Sequence, residues 1–387
     1  MLARPSPDGP VTPGSPLGHP EREDSAPMEI VPGLHQLKTP MAGPALPYIM
    51  PYAFTGGDGV SLFDAGFGTP QAIAAMTREL AALGYAPKDV RRLFISHAHP
   101  DHIGMAGWIK EQAPDCQIIM LEREWQWIQA RWLDNESWTN LSDGWLVRHG
   151  IPQEDIDAAH EAGALAPTSP AVRPGQVASE RPRPGGPRRG DAAGGGGPGG
   201  GMRWVEPDVK LQDGEVVEFD GWKLRAVWTP GHTPGHMCMY EPNRRIMFTG
   251  DHVLPYISPN VSLHADQEGS SPLSDFRASL KKVASFDTRC ALPAHEFTIG
   301  DLRARCDVLL HHHDERLNEV REAIGPGETS GRLISQNVHW NTGPFDDFNI
   351  FMKRSALGET LAHLRLLEDD GRVERIEADG RVLWRQR

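Results

Sequence analysis

The chain of 387 residues has few of the features that would place it outside soluble enzymes. It has only four cysteines, Cys116, Cys238, Cys290 and Cys306, and no Cys-x-x-Cys pair. This excludes a disulfide scaffold and a cysteine-rich zinc knuckle, and fits reduced thiols in a cytoplasmic protein. No apolar run approaches the ~18 residues that a membrane span requires, so no membrane partner is expected. The first 27 residues carry Pro, Gly and acids but no apolar stretch to act as a signal peptide. Positive charge is also short: 39 Lys and Arg stand against 52 Asp and Glu, a formal net charge of −13. A general nucleic-acid binder would present a basic surface instead.

What the chain does have is histidine in ordered company. Residues 97–102 read His-Ala-His-Pro-Asp-His, directly after the apolar run Val90–Ser96, which reads as a buried strand. Three further candidates follow: His232 in Thr229-Pro-Gly-His-Thr-Pro-Gly-His236, Asp251 in Thr249-Gly-Asp-His252, and His295 in Leu292-Pro-Ala-His-Glu296. Neutral imidazole suits zinc, iron and manganese, while carboxylate adds charge and can join two ions. In a turn at a strand end, His97 and His99 can converge on one ion while Asp101 and His102 address a neighbouring position. His232 can complete the first ion, His295 the second, and Asp251 can lie between them. Two divalent ions so held keep a hydroxide between them at neutral pH, with no Ser or Cys nucleophile.

This pattern of His-x-His-x-Asp-His, a later His, a later Asp and a final His resembles the metallo-β-lactamase superfamily. The resemblance covers about residues 29–315 and implies an αββα sandwich. By that resemblance His97, His99 and His232 bind one metal, Asp101, His102 and His295 the other, and Asp251 bridges. Asp64, at the end of Ser61-Leu-Phe-Asp64, matches the family's early carboxylate behind the ligands. The use of Asp101 and Asp251 is more similar to glyoxalase II, lactonases and nucleases of the family than to true β-lactamases. An oxygen-reducing diiron member would carry an acid where His99 stands, so hydrolysis is expected rather than redox chemistry.

Other groups near these motifs have supporting roles in this reading. His236 and Glu296 are expected to hydrogen-bond around the ligands, His252 to orient substrate or relay a proton, and Tyr256 to donate to a tetrahedral intermediate. Asp101 is also the expected proton acceptor. Five tryptophans, Trp125, Trp127, Trp132, Trp138 and Trp145, fall in one short span. They either line an apolar substrate pocket or pack a helical hairpin onto the sheet.

The domain reading has three parts. Residues 1–27 form a disordered tail, and residues 28–315 the catalytic domain, with a flexible Gly/Pro/Arg-rich insertion at 166–203. Residues 316–387 combine Leu357, Leu361, Leu364 and Leu367 on one helical face with two short strands flanking Ala378-Asp-Gly380. They resemble the winged-helix domain of lactamase-like proteins that include endoribonucleases and carrier-protein thioesterases. From His311 onward, however, 11 basic residues meet 14 acidic ones, which weakens a nucleic-acid-reading role. His311, His312 and His313 read as part of a helix joining the two domains. The expected activity is a dinuclear hydrolase, with zinc before iron or manganese, acting on a small acyl substrate: a thioester, ester or lactone. The alternative is a metal-dependent single-strand endoribonuclease, with RNA as its partner.

Overall fold

A computed structural model describes residues 27–41, 46–132, 135–161 and 204–387, with the side chains of 132–137 excepted. The expectations for residues 1–26 and for the insertion at 166–203 lie outside these described residues, as does the Trp132 side chain.

Two sheets stack face to face, with helices on both outer surfaces. The first sheet has seven strands in the order Met28–Val31, Leu34–Gln36, Tyr52–Phe54, Val60–Phe63, Val90–Phe94, Gln117–Leu121, Val209–Leu211. Its first four strands pair antiparallel and its last four parallel. The second sheet orders Val216–Phe219, Trp222–Trp228, Met237–Glu241, Ile246–Gly250 and Cys290–Pro293. Only its last pair is parallel.

Alternation explains the layers. Neighbouring side chains on a strand point to opposite faces, and here both faces are covered. Leu62 and Leu93 join the cluster beneath the first sheet, whereas Phe63 and Phe94 join the one between the sheets. That middle layer is aromatic: Phe248 of the second sheet lies 5.3 Å from Phe54 and 5.4 Å from Phe63, ring centre to ring centre. Helices Pro70–Ala82, Ala106–Gln112 and Glu122–Trp132 cover the outer face of the first sheet. Helices Pro272–Ala284, Leu302–Ala323 and Ile350–Asp369 cover the second. The αββα architecture expected from the motifs is therefore present.

Two prolines shape the elements that lead to the site. Residues 48–54 form two short strands, Tyr48–Ile49 and Tyr52–Phe54, because Pro51 between them has no N–H to donate. After the ligand turn the chain forms two short helices, Pro100–Ile103 and Ala106–Gln112. Pro100 at the first helical position favours the start of the first.

At the C-terminus, helices Gly331–Asn337 and Ile350–Asp369 precede a hairpin of Val373–Ala378 and Arg381–Gln386. Its turn places Asp379 and Gly380 at φ 50° and 74°, the left-handed pair that a two-residue hairpin needs. Thr329–Ser330 adds a third strand. Helix Leu302–Ala323 runs through residue 315 without interruption and contains His311, His312 and His313.

Candidate metal centre

Every candidate ligand follows the carboxyl end of a strand. Asp64 ends Val60–Phe63, His97 follows Val90–Phe94, Asp251 follows Ile246–Gly250, and His295 follows Cys290–Pro293. The stacked sheets bring these ends to one edge. His97, His99, His232 and Asp251 offer ligand atoms within 4.8 Å of one another, and so do Asp101, His102, Asp251 and His295. Asp251 belongs to both groups.

In the first group the ring nitrogens crowd together. His232 Nε2 lies 3.2 Å from His97 Nε2 and 2.9 Å from His99 Nδ1, and the latter two are 2.9 Å apart. His232 Nδ1 donates to the Asn260 carbonyl at 2.7 Å, which leaves its Nε2 lone pair for the centre. Burial, then the charge of neighbouring rings, pushes His97 well below the usual histidine range, and burial and His232 push His99 to about 3. These are neutral imidazoles, the form that binds a cation.

The second group has the opposite electrostatics. Burial would discharge His102 and His295, but the carboxylates of Asp101 and Asp251 hold His102 well above its usual value and His295 at about 10. The same histidines, against burial, hold Asp101 and Asp251 below the carboxylate range. The carboxylates thus demand positive charge here. Yet His295 Nε2 stands 3.3 Å from both Asp101 Oδ2 and Asp251 Oδ1, and His102 Nε2 stands 3.5 Å from each. Charge-assisted hydrogen bonds are shorter, about 2.7–2.9 Å. Ligands of one tetrahedral zinc ion, each ~2.0–2.1 Å from it, stand roughly 3.3 Å apart. His102 Nε2, His295 Nε2 and Asp251 Oδ1 are buried and make no hydrogen bond. Orphaned donors and acceptors at that spacing fit a divalent cation.

A supporting shell fixes the rings. Asp64, at φ 58° and almost fully buried, accepts from His102 Nδ1 at 2.8 Å and from both Ser96 N and Ser96 Oγ at 2.8 Å. Ser96 Oγ also contacts His97 Nδ1 at 3.0 Å. His295 Nδ1 donates to the Tyr48 carbonyl at 3.1 Å. His236 joins neither ligand group: its Nε2 accepts from Asp251 N at 3.2 Å, and its Nδ1 faces Thr229 Oγ1 at 2.8 Å. His252 is fully buried with its ring against Phe276. Glu296 Oε2 accepts from Tyr256 N at 2.8 Å, and Tyr256 itself is 44 % exposed.

Several contributors were invisible in the motifs. Glu124, near the start of helix Glu122–Trp132, accepts from Ala98 N at 2.7 Å, between the first two histidines. Its other oxygen accepts from Thr233 Oγ1 and Gly235 N, both at 2.9 Å, beside His232. One buried carboxylate therefore ties two ligand loops together. A Cβ on Gly235 would sit 2.2 Å from Glu124 N, so only glycine allows this approach. Asn260 passes the His232 contact onward: its Nδ2 donates to Ser355 Oγ at 3.1 Å, on helix Ile350–Asp369. The tryptophans divide. Trp125 and Trp127 belong to the core under the first sheet and Trp145 to that under the second, while Trp138 is half-buried between Arg131 and Arg354.

Known proteins share this frame. Residues 49–295 match the metallo-beta-lactamase superfamily model. The lactamase-like protein ptaB of Pestalotiopsis fici is 34% identical over 182 residues, 45% of this chain and 54% of that one. The atrochrysone carboxyl ACP thioesterase dmxR1 of Cryptosporiopsis sp. (strain 8999) is 33% identical over 125 residues, 32% of this chain and 36% of that one. These matches span between about a third and half of the relatives' lengths. Over most of the chain, the structure resembles the metallo-beta-lactamase family protein TTHA1429 of Thermus thermophilus. That match has a TM-score of 0.72 and 28% identity, covering 93% of this chain and all of that one. The chain belongs to the metallo-beta-lactamase superfamily and has that family's metallo-hydrolase architecture.

Proposed function

We propose that the chain is a dinuclear metal-dependent hydrolase of thioesters, with esters and lactones as related substrates. The observation that carries the dinuclear reading is Asp251, whose carboxylate belongs to both ligand groups. His97, His99 and His232 would hold one ion, Asp101, His102 and His295 the other, and Asp251 both. All are N and O donors, which suits zinc, with iron or manganese as the next choices. Two such ions supply hydroxide near neutral pH and polarise the electrophile.

The protein's own groups supply placement. Asn260, Tyr48 and Asp64 accept from the outer nitrogens of His232, His295 and His102, and so aim the inner ones. Asp101, 14 % exposed at its side chain, is the proton acceptor of this scheme. Glu296 holds the backbone at Tyr256, whose hydroxyl is the proposed donor to the developing oxyanion.

An acyl substrate is favoured by the thioesterase among the relatives and by the acidic balance of the chain. Residues 316–387 are proposed as a winged-helix-like unit that borders the site rather than reads nucleic acid. From His311 onward 11 basic residues stand against 14 acidic ones, which disfavours a phosphate-binding face. The four free thiols fit a reducing, cytoplasmic setting. Among the described residues no helix is long and apolar enough to cross a membrane.

The test is one zinc-loaded preparation assayed on acyl-pantetheine thioesters and on a labelled oligoribonucleotide. Thioester turnover that is lost in His99→Ala supports the proposal. Cleavage of RNA alone would replace it with the endoribonuclease reading.

A further inference from the structure

Two helices that brace the metal centre also deliver arginines to a common place. Helix Glu122–Trp132 is anchored at Glu124, between the ligand loops, and carries Arg131 seven residues later. Seven residues are nearly two turns, so Arg131 lies on the same face about 10 Å further along. Helix Ile350–Asp369 is anchored through Ser355 to Asn260, which accepts from His232, and carries Arg354 next to that anchor. Both guanidinium groups meet the indole of Trp138, at 4.3 Å for Arg131 and 5.4 Å for Arg354.

This convergence is unusual on electrostatic grounds. Burial and the charge of Arg354 together push Arg131 down to about 9, so the two cations feel each other. Among the described residues Arg354 forms no ion pair and donates no hydrogen bond, although Lys353 beside it pairs with Asp155. Two carboxylates act on the pair, Asp143 on Arg354 and Asp266 on both; Asp143 contacts His160 Nε2 at 2.7 Å and Asp266 accepts from Trp127 Nε1 at 2.8 Å. His264, whose ring centre is 6.3 Å from that of Trp127, lies within the field of both arginines and of His99 and His232. The anchors of the two helices, Glu124 at Ala98 and Gly235 and Ser355 at Asn260 behind His232, place the pair on the His99 and His232 side of the centre.

We propose that Arg131 and Arg354, meeting at Trp138, recognise an anionic group of the substrate, a carboxylate or phosphate, remote from the bond that is cleaved. Guanidinium matches either anion with paired N–H donors. The helical rise from Glu124 to Arg131, roughly 10 Å, corresponds to several bonds of substrate between anion and centre. The inference deepens the acyl-hydrolase reading and rests on it for the substrate's identity, but anion recognition is measurable without turnover.

Two matched pairs of uncleavable probes test it by calorimetry on the full-length, zinc-loaded protein. One pair is S-methyl pantetheine with and without its 4′-phosphate. The other is N-propyl pentanamide and the N-propyl monoamide of glutaric acid. In at least one pair the anionic member should bind about tenfold tighter or more, the scale of a charge-assisted contact. The pair that shows the preference identifies its source, the thiol arm or the acyl chain. Arg354→Gln should reduce the preference to less than about twofold with metal content unchanged, and Arg354→Lys should retain part of it. Equal binding within both pairs would overturn the proposal. So would a preference that Arg354→Gln leaves intact, since the metal ions would then account for it. A preference without thioester turnover would reject the acyl-hydrolase reading and leave this site standing.

Discussion

Asp64 Oδ2 and His102 Nδ1 meet at 2.8 Å with both side chains buried, and Asp64 adopts a left-handed backbone to make that contact. Asparagine tolerates this conformation, so Asp64→Asn should fold. It would present an amide where His102 and Ser96 both need an acceptor, and would remove a buried negative charge. Zinc affinity should fall about 10- to 100-fold, the usual range for a partner behind a ligand. Competition with a chromogenic chelator checks this, and unchanged affinity would mean that the His102 ring is held by packing alone.

Glu124 should matter to stability as much as to metal binding. Burial pushes it up to about 7, against the hydrogen bonds from Ala98, Thr233 and Gly235 that favour its charged form. Glu124→Gln keeps the shape but cannot accept at both ends. Thr233 can rotate its hydroxyl, whereas the Gly235 N–H cannot follow and loses its partner. One buried orphan of that kind costs about 1–3 kcal/mol, and Glu124→Ala would orphan three groups. Thermal melts of the metal-free proteins should rank wild type, Gln and Ala in descending order. Equal melting of Gln and wild type would show that this carboxylate carries no structural role.

The ligand motifs were legible because each couples a strand end to a metal-binding residue type within a few positions. Glu124 was not, since Glu122-Arg-Glu-Trp125 opens a helix with charges that carry no local sign of burial, and only the tertiary contact buries it. Asn260 and Ser355 are 95 residues apart, and no local pattern relates them. The leucine face of helix Ile350–Asp369 could be read from its period, but period does not name the surface it covers. Likewise, the crowding of the tryptophans suggested a single role, while the fold assigns Trp127 and Trp145 to opposite outer layers.

The C-terminal residues should prove inseparable from the rest. Ending the chain at residue 315 cuts helix Leu302–Ala323 and uncovers the cluster where Leu361, Leu364 and Trp384 pack with Phe276 and Leu280. Each fully buried side chain of this kind contributes about 1.5–3 kcal/mol, and a domain is stable by only about 5–15 kcal/mol. A 1–315 fragment should therefore be recovered unfolded or aggregated. A soluble fragment with a cooperative melt would support an autonomous hydrolase domain ending there.

Acid sensitivity should come partly from a histidine pair outside both ligand groups. His313 Nδ1 donates to His363 Nε2 at 3.2 Å, and His363 Nδ1 donates to the Glu359 carbonyl at 2.8 Å, so the His363 ring, which must accept at Nε2, is neutral. Burial pushes His363 from an ordinary 6.5 to about 3 and holds His313 well below its usual value. Between about pH 6.5 and 3 the unfolded chain therefore binds protons that the folded chain refuses. Stability must rise with pH across that window and fall on acidification, by up to ~1.4 kcal/mol per pH unit for each such group. His363→Gln retains a donor and an acceptor but does not titrate. Denaturant melts at neutral pH and near pH 5 should show a smaller acid loss for this variant than for wild type. Identical losses would mean that the pair takes up protons without leaving the folded state.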